Sequence, residues 1–395
     1  MRIVIFNHSF FHLSETFIYR QITGLTKNIE APLLSFSFAN EEHFPTINKK
    51  IRLKKSVNIV DKVLSFVLPD RIKSRSGFSI FNYFKVKRIL NQLKPDAIHA
   101  HFGFNAAMVY PLAKALDIPL IISFHGLDAS PKMLKNEAYR NKIREMLHYA
   151  SAVIVVSPHM ISTLGLSAWQ NKTHMIPYGV NPAEFTNKTP ALNAGYITIL
   201  HSGRLVAKKG VPDLIRVCIN LIKKDYNLRL VIIGDGAELT VCKEIVEMAG
   251  CRNIQFLGAQ TQDVVKTWMS QTDIFVLNSR TSETGDMEGL PNAILEAMSM
   301  RLPVVSTFHA GIPQAITNGV NGILVKERDN EGLEAALKIL ISNKTMRTEI
   351  GIAARQTIKD GFTIELMNRR IADIYKSVIM PSHQITTTAS FSFSA

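Results

Sequence analysis

The chain has 395 residues, 46% of them apolar and 20% charged, which suits two globular domains better than one. Its three cysteines, Cys218, Cys242 and Cys251, lack CxxC spacing, which argues against a zinc ribbon or a disulfide framework and fits a reducing cytoplasm. The formal net charge is +14, yet no nucleic-acid motif accompanies it. In chain order, "RIVIF" (2–6) reads as a strand rather than a signal peptide, because no long apolar core or small-residue cleavage site follows. The loop after it, "HSFFHLSETFIYRQI", carries Ser14, Glu15 and Thr16; Ser14 before an apolar run reads as a helix cap. Between Lys49 and Lys94, 13 Lys or Arg face two acids, with "VLSFVL" (63–68) and "FSIFNYF" (78–84) interleaved. That stretch is either a solvated basic face or a dock for an anionic membrane.

Strands are predicted at 96–102, 119–125 and 151–157 in the first half, then at 196–203, 228–234, 254–258, 273–279 and 303–307. Their alternation with helical segments points to two α/β domains with parallel sheets, joined near "MIPYGVNPAEFTNKTP" (175–190). The expected division is 1–180, 181–362, a helix at 363–380 returning to the first domain, and a disordered polar tail at 381–395. No apolar run approaches the ~20 residues that span a bilayer. Two open sheets facing each other leave a deep cleft at their carboxyl ends, where ligands usually bind.

The stretch "GDMEGLPNAILEAMSM" (285–300) holds two glutamates, Glu288 and Glu296. A continuous helix would set them about 80° apart. Pro291 instead suits a helix start, so Glu288 falls in the preceding loop and Glu296 one to two turns inside. The bare amides of the first turn then lie between two carboxylates, a cradle for an anion bearing hydroxyl groups. Upstream, "HSGRLVAKKG" (201–210) ends a strand and projects Arg204, Lys208 and Lys209, which suit a diphosphate or are simply a basic surface loop. "LRLVIIGDGAEL" offers Gly234 and Gly236 but Leu239 at the third glycine position, a weak dinucleotide fingerprint. His101 in "HAHFG" and His125 in "SFHGLD", with Asp128 beside it, end strands where a histidine is either structural or a donor to developing charge.

Taken together, "GRLVAKKG", "VIIGDG" and "EGLPNAILEAMSMRLPVVST" resemble the retaining glycosyltransferases of family 4, which have the GT-B fold. The likeness continues through "SETFI", "HAHFG", "SFHGLD" and "IPYGVNPAEF", and covers roughly residues 1–375. It resembles most those bacterial members that build exopolysaccharides such as colanic acid. The resemblance implies that Glu288 faces the donor sugar and Glu296 the nucleotide ribose. The backbone of Gly289, Leu290 and Asn292 would then meet the diphosphate or sugar, Arg204 and Lys209 would neutralise the leaving group, and His125 would serve the sugar or transition state. It implies a nucleotide-sugar donor, UDP-linked by preference, and a saccharide or polyprenyl-diphosphate-linked acceptor. Ser14, Glu15, Thr16, His101 and Asp128 would lie on the acceptor side. No metal or other cofactor is expected, and the location implied is the inner face of the cytoplasmic membrane. A sugar-nucleotide epimerase on this fold, or an inactive binding protein, is the alternative. Two departures stand out: "FFHLSETF" replaces the glycine-rich loop of many relatives, and "EGLP" replaces their E-x-F-G.

Overall fold

The computed structural model describes residues 1–12, 15–25, 28–54, 78–185 and 195–380. Strands such as β1 (Ile3–Phe6) are buried at every position, which only a sheet covered on both faces allows. The first sheet also contains β3 (Leu33–Ser35), β5 (Lys50–Arg52), β6 (Ala97–His101), β7 (Leu120–Phe124), β8 (Ala152–Val155) and β9 (Thr173–Met175). Its order is β5-β3-β1-β6-β7-β8-β9, and every pair is parallel. A two-stranded ribbon, β2 (Ser9–Phe10) with β4 (Ser37–Phe38), lies beside it.

The second sheet runs β12-β11-β10-β13-β14-β15, again wholly parallel. Its strands are β10 (Ile197–Ser202), β11 (Leu228–Ile233), β12 (Ile254–Gly258), β13 (Ile274–Val276), β14 (Val304–Thr307) and β15 (Ile323–Val325). All nine predicted strands are present. The unpredicted ones are two or three residues long, too short for a period to show.

From Asn330 the chain is helical, in Asn330–Ser342, Lys344–Gly361 and Ile364–Ile379. Before the last helix it returns to the junction near Val180, where Val180 N–H donates to Phe362 O (2.9 Å) and Ile364 N–H to Val180 O (3.1 Å). The last helix then lies against the helix Thr16–Thr23 and β6, and buries Tyr375 completely. One apolar core runs from the first sheet through Ile294, Met298 and Tyr375 to the inner face of the second. Each large side chain enclosed there contributes about 1.5–3 kcal/mol. Both sheets therefore present their carboxyl ends to a shared cleft.

Candidate functional site

The cleft encloses about 380 Å³ and is lined from both domains. On its second-domain wall the helix Asn292–Ser299 begins directly after Pro291, so Glu288 lies in the loop and Glu296 in the helix's second turn. Gly289 is required where the domains meet, since a Cβ there would stand 2.9 Å from His125 O and from Val156 Cγ2. Gly234 and Gly236 turn the end of β11 tightly against the backbone of Gly203 and Leu205 and so fix the basic loop.

That loop delivers Lys209, whose Nζ is 3.0 Å from Glu288 Oε1, both groups being buried. Burial alone would raise the Glu288 carboxyl, but Lys209 and Lys208 outweigh it and hold it at about 2. Lys208 donates to Asp286 Oδ1 (3.2 Å) and Met287 O (3.1 Å), tying the basic loop to the acidic one. Arg204 is exposed at the cleft's edge. Leu290 and Asn292 line the cleft beside Glu296.

Several partners were not legible in the motifs. The Glu288 backbone N–H donates to His309 Nε2 (3.1 Å), and His309 Nδ1–H donates to Glu327 Oε1 (2.6 Å). This fixes the His309 tautomer and the Glu288 loop together. His309 lies two residues past β14, as His125 directly follows β7 and His101 ends β6, so the strand-end signal was there to be read. Glu296 is paired across the cleft with Arg20 of the helix Thr16–Thr23 (2.7 Å), both side chains buried. Nothing in the sequence links positions 276 apart.

On the first-domain wall, Glu15 and Thr16 line the cleft. Glu15, rather than Ser14, occupies the position before the helix and makes no capping bond; Ser14 lies outside the described residues. Burial raises the Glu15 carboxyl despite His12 and Arg204 nearby. His125 also lines the cleft, but both ring nitrogens are engaged, Nε2 with His101 Nδ1 (3.0 Å) and Nδ1 with Tyr178 Oη (3.0 Å). A free imidazole nitrogen aimed at the sugar is thus replaced by a stacked His101–His125–Tyr178 column. Burial pushes the His125 imidazole down to about 3, so it is neutral.

His101 and Asp128 correct the expectation of acceptor contacts, since both are fully buried beneath the cleft and line none of it. Asp128 Oδ1 accepts from the His125 and Gly126 amides (2.9 and 3.0 Å), and Oδ2 from the Gly103 amide (2.8 Å). With both oxygens committed it positions the two loops. Burial, opposed by these amides, raises its carboxyl to about 6. Among the described residues, no group of three or more His, Cys, Asp or Glu is placed to hold a metal ion.

The basic window is described only in part, as residues 55–77 lie outside the described set. Lys50 and Arg52 pair with Glu41. On the helix Ile80–Leu93, Phe81, Phe84 and Arg88 are exposed and share one face with the half-buried Lys85. No helix among the described residues is long and apolar enough to cross a membrane.

The profile described as Glycosyltransferase Family 4 matches residues 3–184, and Glycosyl transferases group 1 matches residues 183–357. The amylovoran biosynthesis glycosyltransferase AmsK of Erwinia amylovora is 30% identical over 71% of this chain and 69% of its own. The putative colanic acid biosynthesis glycosyltransferase WcaL of Escherichia coli K12 is 26% identical over 74% and 73%. Among solved structures, sucrose-phosphate synthase from Thermosynechococcus elongatus superposes with a TM-score of 0.79 at 17% identity, over 97% of this chain and 100% of its own. Anabaena HepE in complex with UDP and glucose does so at 0.79 and 17%, over 95% and 100%, which with the two parallel sheets identifies the GT-B architecture. The chain belongs to the family 4 glycosyltransferases and has their GT-B fold.

Proposed function

We propose that the protein transfers a hexosyl group, with retention at the anomeric carbon, from a nucleotide-diphosphate sugar to a saccharide or lipid-linked glycan acceptor in bacterial exopolysaccharide synthesis. The observation that carries this reading is the pair of buried carboxylates, Glu288 ionised beside Lys209 and Glu296 in the second turn of an inward helix, in a cleft lined by Arg204, Lys208 and Lys209. The names of AmsK and WcaL support the pathway class. The UDP and glucose bound in HepE support a UDP-sugar donor.

In this reading the diphosphate lies at the first turn of Asn292–Ser299, where the amides of Gly289, Leu290 and Asn292 and the helix dipole favour an anion. Arg204 and Lys209 balance the charge that grows on the leaving phosphate, so no metal ion is needed for that task. Glu296 accepts from the ribose hydroxyls through the oxygen that Arg20 leaves open. Glu288, fixed as a carboxylate, meets the donor sugar hydroxyls and the positive charge that develops near the anomeric carbon. The bond from that carbon to the phosphate oxygen breaks with its electron pair on phosphate. The acceptor oxygen attacks from the same face, and its proton passes to the departing phosphate. His125 acts by holding Tyr178 at the cleft wall. Glu288 and Glu296 are not a glycosidase pair, since Glu296 serves the nucleotide.

The exposed Phe81, Phe84 and Arg88 with Lys85 would set the enzyme on the inner face of the cytoplasmic membrane. The test of function is transfer from UDP-, GDP- and ADP-hexoses to saccharide acceptors in the presence of EDTA, with the product's anomeric configuration read by NMR. An α-linked product from an α-linked donor, formed in EDTA, is expected. An inverted product, or full dependence on added metal, would overturn the mechanism. Free epimerised nucleotide sugar without transfer would favour the epimerase.

A further inference from the structure

The two walls of the cleft differ in chemistry. Among the described residues, the Lys and Arg lining it, Arg204, Lys208 and Lys209, belong to the second domain, and Arg20 of the first domain reaches only Glu296. The first-domain wall offers aromatic and apolar groups and one carboxylate, Glu15. Phe104 is 37% exposed and Leu127 41% exposed at its lip. Phe104 stacks on Phe102 with centroids 5.2 Å apart and planes 12° from parallel, and Phe102 in turn meets the His125 ring at 4.7 Å.

Phe102 holds φ of 69°, a strained backbone conformation that a bulky side chain rarely adopts. It is kept there from both sides. Its own amide donates to Ser123 O (2.8 Å), and the next amide, of Gly103, donates to buried Asp128. The result of this strain is an aromatic pair whose outer face opens into the cleft.

We infer that the Phe102–Phe104 pair, flanked by Leu127, is a stacking platform for the apolar face of an acceptor pyranose, with Glu15 accepting from its hydroxyls. This rests on the reading of the cleft as a glycosyltransferase site and narrows the acceptor class. Among the described residues lining the first-domain wall there is no Lys or Arg, and Arg20 behind it is committed to Glu296, so the apolar platform suits a neutral sugar rather than a phosphate. The enzyme extends an existing glycan rather than starting one on a polyprenyl phosphate.

The test is saturation-transfer-difference NMR with methyl glucopyranosides and galactopyranosides, with UDP present, on wild type, Phe104→Ala and Phe104→Tyr. Farnesyl phosphate serves as the rival probe. At least one sugar should receive saturation on its ring protons from wild type and Phe104→Tyr, with affinity falling roughly tenfold in Phe104→Ala. UDP signals should be equal in all three. Sugar binding that is absent from wild type or unchanged in Phe104→Ala would overturn the platform, and so would displacement of the sugar by farnesyl phosphate in a Phe104-dependent way. Loss of UDP binding in wild type would strike the donor reading instead and leave a Phe104-dependent sugar signal standing.

Discussion

Removing Lys209 should be costly because it leaves Glu288 charged and enclosed. Lys209→Met keeps the volume of the side chain and deletes the ammonium 3.0 Å from Glu288 Oε1. The carboxyl lies at about 2 against an ordinary 4.5, although burial pushes it the other way. At about 1.4 kcal/mol per tenfold, that difference amounts to roughly 3 kcal/mol. Burial also draws the Lys209 ammonium below its ordinary value in spite of Glu288, so desolvation offsets part of the gain. Lys208, held on Asp286, still softens the loss. About 2–3 kcal/mol should appear in the single variant, a Tm lower by roughly 5–10 °C for a domain of this size. Lys209→Met combined with Glu288→Gln removes the orphaned charge and should recover at least half of the fall. Differential scanning calorimetry near pH 7 is the assay. There the contribution is fully present, since a depressed carboxyl stabilises above about 4.5 and loses its effect only as pH falls toward 2. A single variant within about 2 °C of wild type, or a double variant no better than the single, would refute the reasoning.

Three further outcomes are expected. His99, His125 and His201 are held neutral by burial, each near 3, so the unfolded chain binds protons that the native one refuses. Stability should fall as pH drops below about 6.5, by about 1.4 kcal/mol per histidine per pH unit, with the raised carboxyls of Asp128, Glu15 and Glu238 working in the opposite direction; a Tm that does not change between pH 7.5 and 5.5 would contradict this. Arg20→Ala strands buried Glu296 and should cost about 3–5 kcal/mol, with Arg20→Lys intermediate, as judged by urea unfolding; equal stabilities would show that the pair carries nothing. Replacing Phe81 and Phe84 by Ser and Lys85 and Arg88 by Gln should weaken co-sedimentation with anionic vesicles more than about tenfold; unchanged binding would move any membrane contact elsewhere.

The alternation of apolar runs revealed both parallel sheets, because strands buried on two faces need nothing but apolar residues. Edge strands carry no such mark: β5 alternates exposed and half-buried over three residues. Pro291 located the helix start, and with it the separate settings of Glu288 and Glu296. Its sequence could not reveal Arg20 as the partner of Glu296, because that contact depends on how the domains close. Asp128 misled for a related reason. An acid next to a strand-end histidine looks like chemistry, yet three backbone amides from two loops converge on it. Their direction is set by the fold, and the letters do not contain it.

The central claim is that the cleft binds a nucleotide sugar through Glu296 and its helix. The most direct test is thermal stabilisation of wild type and Glu296→Ala by a panel of UDP-, GDP- and ADP-sugars, with each ligand shift referred to its own ligand-free protein. At about 100 times the dissociation constant, a bound donor should add about 2.7 kcal/mol to the wild type. One nucleotide series stabilising wild type, and Glu296→Ala far less, is the predicted result. Stabilisation by none of them, or to the same extent in both proteins, would contradict the account.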